Sequence, residues 1–140
     1  MRSIPAQMRA LREAAGLTQL DIAEELGVSY RTVAHWETAA RSPQCGLAVD
    51  WTKLLGRHLL VVREGHFVDD LLDALPRLTE MREAAGLTQA AAGQALCITE
   101  HAVGHAERTA GTRTRLSTVQ RLMGLYGAQV VLERAGAVAA

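Results

Sequence analysis

Three side chains that can donate hydrogen bonds to a planar partner stand close together at the start of one predicted helix. They are Tyr30, Arg31 and His35, and helical spacing places them on its outward face. The guanidinium fork of Arg31 fits O6 and N7 of guanine, while Tyr or His can donate to a base edge or pack against a thymine methyl. The alternative for Arg31 is an exposed ion pair with a neighbouring glutamate, which contributes little stability.

No other set of residues is typical of an enzyme or a metal site. The sequence has no glycine-rich phosphate loop, no nucleophile elbow and no paired carboxylates. His101 and His105 stand four apart on a predicted helix, a spacing that suits a metal, but no third ligand is arranged nearby. Cys45 and Cys97 lie far apart, so we predict two free thiols. We therefore expect a non-enzymatic protein without cofactor or metal.

The stretch Leu17–Glu37, LTQLDIAEELGVSYRTVAHWE, predicts two short helices that cross at a steep angle around a tight turn. Ala23 is small where the helices meet, and Gly27 supplies the positive φ that the turn requires. The apolar anchors around this turn are Val28, Val33 and Trp36. With those residues directed inward, the outward face of the second helix is free to enter a DNA major groove.

This arrangement resembles the lambda-repressor-like helix-turn-helix of the Cro and XRE regulator family. In that family the glutamine that opens the second helix contacts the DNA backbone and braces the recognition helix, whose first residues contact bases. By position, the resemblance implies DNA contacts from Gln19 at the backbone, from Tyr30, Arg31 and His35 at the bases, and from Ser29, Thr32 and Arg41 near phosphates.

The same unit occurs twice in the 140 residues. LREAAGLTQL at 11–20 recurs as MREAAGLTQA at 81–90, an offset of seventy that suits two compact helical domains. At the fourth helix the offset falls to about sixty-eight, where LLG at 54–56 corresponds to LMG at 122–124, so we infer that two residues were lost from the preceding loop. We predict a first domain at 1–64, a linker at 65–72 and a second domain at 73–140.

Periodicity and capping residues predict a mainly α fold, with two tandem lambda-repressor-like domains of four to five helices, each followed by a short strand. Ser3, the Thr18 and Asp21 capping box, and Ser29 begin the first three helices. The fourth helix is predicted at 47–55 and the strand at 58–63. In the second unit, the predicted helices are 74–85, 88–96, 100–107 and 116–124, and the predicted strand is 128–133.

The two strands need partners because an isolated five-residue strand is unstable. Some antitoxin-type members of the resembling family pair this strand with its counterpart across a dimer axis. Carried over, the resemblance implies that the two strands pair within one chain and form a covalent pseudodimer. The alternatives are that each run is a buried helix end or that it pairs with another molecule.

The second unit departs from the first where DNA contact is decided. Gly27 becomes Cys97, which requires a strained positive φ or an altered turn, and Trp36 becomes Ala106. Ala23 is replaced by Gly93, which lowers the helix propensity by about 1 kcal/mol. Tyr30 and Arg31 are replaced by Glu100 and His101. We consider two interpretations: the unit is structural only, or it binds the DNA backbone. If the unit binds the backbone, the contacts would come from Gln89, Thr99, His101, His105 and the arginines of 108–115, chiefly Arg113 and Arg115.

Composition limits the remaining classes. No apolar run reaches the length of a membrane span, and MRSIPAQMRA lacks the apolar stretch of a signal peptide, so we expect a cytoplasmic protein. We predict a sequence-specific regulator of double-stranded DNA. It would be a repressor on an asymmetric or imperfectly palindromic operator and would act as a monomeric pseudodimer or a homodimer. The alternative is an antitoxin or other module whose main partner is a toxin or regulatory protein, which the zero net charge and Glu100 slightly favour.

Overall fold

In a computed structural model that describes residues 2–134, helices dominate and a single small sheet joins the two repeats. The first unit contains α1 (Ile4–Ala14), α2 (Gln19–Leu26), α3 (Tyr30–Glu37), α4 (Cys45–Leu54), β1 (Arg57–Arg63) and β2 (His66–Asp70). The rest comprises α5 (Leu71–Ala74), a 3-10 turn (Leu75–Arg77), α6 (Leu78–Ala84), α7 (Gln89–Leu96), α8 (Glu100–Thr109), α9 (Leu116–Leu125) and β3 (Gln129–Arg134). The predicted fold class is confirmed.

The predicted helix caps of the first unit are present. The hydroxyl of Ser3 accepts from the N–H of Ala6, and Thr18 and Asp21 form both hydrogen bonds of a capping box. Gly27 ends α2 with φ 71°, in the left-handed region that glycine adopts at little cost. Ser29 then caps α3 through the N–H of Thr32. Each cap satisfies a backbone group that a helix end leaves without a partner.

The segment predicted as a linker contains a strand. Residues 66–70 form β2, which pairs antiparallel with β1 through the turn at Glu64 and Gly65. The helix predicted at 74–85 is also interrupted, because Pro76 lies in a 3-10 turn between α5 and α6. A proline has no N–H to donate, and its ring disturbs the preceding helical turn.

The predicted loss of two residues before the fourth helix is wrong. Both α4 and α9 have ten residues, and α9 begins at Leu116, seventy-one positions after Cys45. The buried positions then coincide, with Cys45, Ala48, Trp51 and Thr52 matching Leu116, Val119, Leu122 and Met123. Gly127, at φ 83°, matches Gly56, whereas Gly124 lies inside α9. The second unit therefore has one additional residue before its fourth helix. The similar sequences at 54–56 and 122–124 are not equivalent positions in the structure.

The closing strands of the two units pair with each other, as one of the sequence interpretations required. In the sheet order β2-β1-β3, β1 and β3 are antiparallel and Leu60 lies opposite Val131, its own counterpart at offset seventy-one. The flanking pairs are Leu59 with Leu132 and Val61 with Val130. These two pairs exchange when the repeats are exchanged, so the contact is isologous, as in a two-fold dimer.

The loops before α4 and α9 form a second contact with the same reciprocity. The N–H of Cys45 donates to the carbonyl of Thr114 at 2.7 Å. The N–H of Leu116 donates to the carbonyl of Pro43 at 2.8 Å. Between these bonds, Gln44 and Arg115 form an isolated antiparallel bridge. The sheet and the loops thus fix the two units to each other at two separate places.

The hydrophobic core is continuous through both units. In the first, Trp36 packs on Trp51 with ring centroids 5.3 Å apart, an arrangement that buries two large apolar surfaces. The corresponding residues in the second are Ala106 and Leu122, while the buried Tyr126 stands where the first unit has Leu55. Across residues 2–134, no helix has the length and hydrophobicity of a membrane span.

Candidate nucleic-acid interface

A buried ion pair connects the first helix of the first unit to the end of its third helix. Nε of Arg12 donates to Oε2 of Glu37 at 2.6 Å, and a second guanidinium nitrogen donates to Oε1 at 3.0 Å. This hydrogen bonding raises the pKa of Arg12. Arg12 also donates to the carbonyl of Leu17 at 2.9 Å, which fixes the loop before α2. Gln19 donates to Oε1 of Glu37 at 3.1 Å, so the pair holds the glutamine side chain against α3.

The second unit repeats this network and extends it. Nε of Arg82 donates to Oε2 of Glu107 at 2.8 Å, and Gln89 donates to Oε1 at 3.4 Å. The hydroxyls of Thr79 and Tyr126 also donate to this carboxylate, at 3.2 and 3.1 Å. Burial alone would raise the pKa of Glu107, but the hydrogen bonds, that from Arg82 first, outweigh it and the net pKa is lowered.

Sequence reasoning missed Arg12, Glu37 and their counterparts Arg82 and Glu107. A signal was present, because the arginine precedes the glutamate by twenty-five residues in both copies. The repeated REAAGLTQ therefore begins with the arginine of the ion pair and ends with the glutamine that the ion pair holds in place. The network gives a physical reason for the repeat: it positions the start of the second helix on the third.

The exposed face of α3 contains the residues that the resemblance places on bases. Tyr30 is 51% exposed although it is a large hydrophobic residue, and Arg31 and His35 are also exposed. The hydroxyls of Ser29 and Thr32 lie 2.9 Å apart at the start of the helix. Gln19 is half-buried beside this face, and Arg41 is exposed in the following loop. The exposed face of α3 thus leaves the guanidinium of Arg31, the phenol of Tyr30 and the imidazole of His35 available to an external partner.

The turn of the second unit retains the helix-turn-helix geometry despite its changed residues. Cys97 ends α7 at φ 59°, so it accepts the left-handed conformation that Gly27 adopts in the first unit. Gly93 is required by close approach, since a Cβ there would lie 2.7 Å from the carbonyl oxygen of Ile98. The glycine therefore lets α7 contact the turn directly, which adds a packing role to the lower helix propensity expected from sequence.

The exposed face of α8 differs in chemistry from that of α3. Thr99 caps the helix through the N–H of Ala102, and Glu100, His101 and His105 are exposed. Among the residues that the structure describes, no group of three His, Cys, Asp or Glu side chains is placed to hold a metal. An acid now stands where Tyr30 stands in the first unit, and a carboxylate at that point repels phosphate.

The loop arginines of the second unit lie near the junction of the two units. Arg115 is exposed, but one of its guanidinium nitrogens donates to the carbonyl of Ser42 at 3.0 Å. Arg113 is exposed and forms no ion pair with any residue in the range 2–134. Arg113 therefore remains available to an external anion, whereas Arg115 already has a role in joining the units.

Comparison with known protein families agrees with this geometry. Residues 8–61 match the family described as Helix-turn-helix, and residues 76–135 match the family described as Helix-turn-helix domain. The chain therefore contains two helix-turn-helix domains in tandem, consistent with the Cro/XRE resemblance, and such domains support a DNA-binding regulator. No curated protein and no solved structure gives a significant match to the chain.

Proposed function

We propose that the protein is a sequence-specific repressor that binds an asymmetric operator as an intrachain pseudodimer in the cytoplasm. The observation that carries this proposal is the reciprocal pairing of Leu60 with Val131 and of Gln44 with Arg115. An isologous contact of this kind supports two recognition helices presented together, as in a dimer of separate subunits. Such helices meet successive major-groove faces about 34 Å apart, one turn of B-DNA.

The two half-sites would be recognised by different chemistry. Arg31, Tyr30 and His35 supply donors for base edges, whereas the second unit presents Glu100 and two histidines. We therefore infer that the first unit determines most of the base specificity. The second unit, through Gln89, Thr99 and nearby cations, would contribute mainly backbone contacts, which add affinity without sequence preference.

Repression is the simplest consequence of such binding, because a protein that occupies an operator excludes polymerase from it. Selection from a pool of random duplexes, followed by footprinting on the selected site, tests the proposal. We expect protection of two unequal half-sites one helical turn apart, and a mass of one chain per site by light scattering. Binding without sequence preference, or two chains per site, would contradict the pseudodimer.

A protein partner is the second candidate, and one surface observation favours it. Leu20 and Leu54 are 53% and 39% exposed, and Leu54 shares a shallow groove with Leu17, Asp21 and Glu25. An apolar surface bordered by acids is typical of a protein contact and unfavourable for DNA. A toxin or regulatory protein that co-purifies with the chain, and whose binding Leu54→Lys abolishes, would support this candidate. Retention of the partner by that variant would exclude this surface.

A further inference from the structure

Two positions on the third helices have changed together between the units. The first unit has Ala34 and Thr38, and the Thr38 hydroxyl donates to the Ala34 carbonyl at 3.2 Å. The second unit has Gly104 and Arg108 at these positions. A long cation has therefore replaced a short hydroxyl, and the residue one helical turn before it has lost its side chain.

The missing side chain at Gly104 makes room for the new cation. A Cβ built there would lie 3.0 Å from a terminal guanidinium nitrogen of Arg108. It would lie 3.2 Å from both the Oε1 and the Nε2 of Gln89. The guanidinium of Arg108 and the carboxamide of Gln89 thus both approach the space that a side chain at Gly104 would occupy. An alanine at Gly104 would force one of these groups to move, because the distances are shorter than ordinary contacts.

The position of Arg108 suits an external anion. His101, His105 and Arg108 follow one another at helical spacing along the exposed face of α8. Within residues 2–134, Arg108 forms no ion pair and its guanidinium donates no hydrogen bond. Its charge is also far along the helix from Glu100, which begins α8. Arg108 also has an alternative role that needs no ligand, because a cation in the last turn of a helix is favoured by the helix dipole.

We propose that Arg108, whose guanidinium lies with the Gln89 carboxamide over Gly104, is a cation through which the second unit binds a DNA phosphate. This inference rests on the proposed DNA-binding function and answers whether the second unit takes part in it. It adds a cationic contact on the recognition helix itself to the contact that Arg113 offers in the loop, where Arg115 is bonded to Ser42. A guanidinium and a carboxamide side by side can donate to neighbouring oxygens of one phosphate.

The test measures binding to the selected operator duplex over a range of salt concentrations. Each phosphate contact contributes about 0.9 to the slope of log affinity against log salt, so Arg108→Ala should lower the slope by about 1. Arg108→Lys should keep most of the slope because it keeps the charge. Arg9→Ala removes an exposed cation from α1 and should leave the slope unchanged.

The reciprocal exchange distinguishes a DNA contact from a dipole effect. Ala34→Gly with Thr38→Arg gives the first unit the second unit's pair, and should raise the slope by about 1. Gly104→Ala should weaken binding while the net charge is constant, and Arg108→Thr serves instead if that variant does not fold. An unchanged slope in Arg108→Ala, with intact binding by the parent protein, would overturn this inference alone. No sequence-specific binding by the parent would overturn the proposed function.

Discussion

Nε of Arg82 lies 2.8 Å from Oε2 of Glu107, and both side chains are almost completely buried. A buried charge that loses its partner stays desolvated without compensation, which costs about 3–5 kcal/mol. Arg82→Leu should therefore lower the free energy of unfolding by about that amount, measured by urea denaturation. The matched surface pair is Arg9 with Glu13, which is more than half exposed. Arg9→Ala should cost less than about 1 kcal/mol, and equal losses in the two variants would contradict the assignment.

The same carboxylate should make stability depend on acid pH. The pKa of Glu107 in the folded protein lies below its ordinary value of 4.5, because hydrogen bonds from Arg82, Gln89 and Tyr126 outweigh the effect of burial. Its contribution is fully present above the unfolded pKa and is lost as the pH falls through the folded pKa. Glu107→Gln should therefore flatten the decline of the free energy of unfolding below about pH 4.5. A decline as steep as that of the parent would show that other carboxylates cause it.

Glycine and alanine at equivalent positions should have opposite preferences in the two units. Helix propensity alone favours Gly93→Ala by about 1 kcal/mol. The new Cβ would lie 2.7 Å from the backbone oxygen of Ile98, and backbone does not yield as a flexible side chain would. We expect the overlap to dominate and thermal unfolding to show a loss of about 1–3 kcal/mol. In the first unit Ala23→Gly should also destabilise, by about 1 kcal/mol, because glycine has the lower helix propensity and the substitution removes the buried methyl group of Ala23. A stabilised Gly93→Ala would contradict the packing.

The left-handed residue that ends the second helix offers a converse pair of substitutions. Cys97 adopts φ 59°, which costs a residue with a Cβ about 1–2 kcal/mol, whereas Gly27 adopts φ 71° without that cost. Cys97→Gly should stabilise the protein by about 1 kcal/mol after the greater chain entropy of glycine is subtracted. Gly27→Ala should destabilise it. The melting temperature should rise in Cys97→Gly and fall in Gly27→Ala. Any other result would indicate that the two turns differ.

Local chemistry made much of the fold predictable. The Thr18 capping box and the turn at Gly27 depend on neighbouring residues, and the sequence displays them directly. Strand β2 was missed because HFVDD carries adjacent acids and no clear alternation, and it is fixed by pairing with β1. The frame of α9 was misassigned because burial, rather than letter similarity, sets the helical register.

The candidate site divides in the same way. Exposed residues such as Arg31 follow from their position in the motif, so their placement on the outer face was predictable. The Arg12–Glu37 pair and the position of Arg108 beside Gln89 depend on contacts between helices that the sequence separates. Periodicity within one helix carries no information about such contacts. Paired changes between the two repeats do carry information about contacts between helices, once the two copies are aligned on their buried positions.

Base contact by the first unit gives the last prediction. Arg31 is exposed at the start of α3, and a bidentate contact with guanine is worth about 1–3 kcal/mol of discrimination. Arg31→Ala should therefore weaken binding to the selected operator by that amount and relax preference at one base pair, measured by competition among single-base variants. Arg113→Ala should instead weaken all these duplexes similarly, since a phosphate contact is independent of sequence. If Arg31→Ala lowered every affinity equally, its guanidinium would be on the backbone, and base specificity would have to come from Tyr30 and His35.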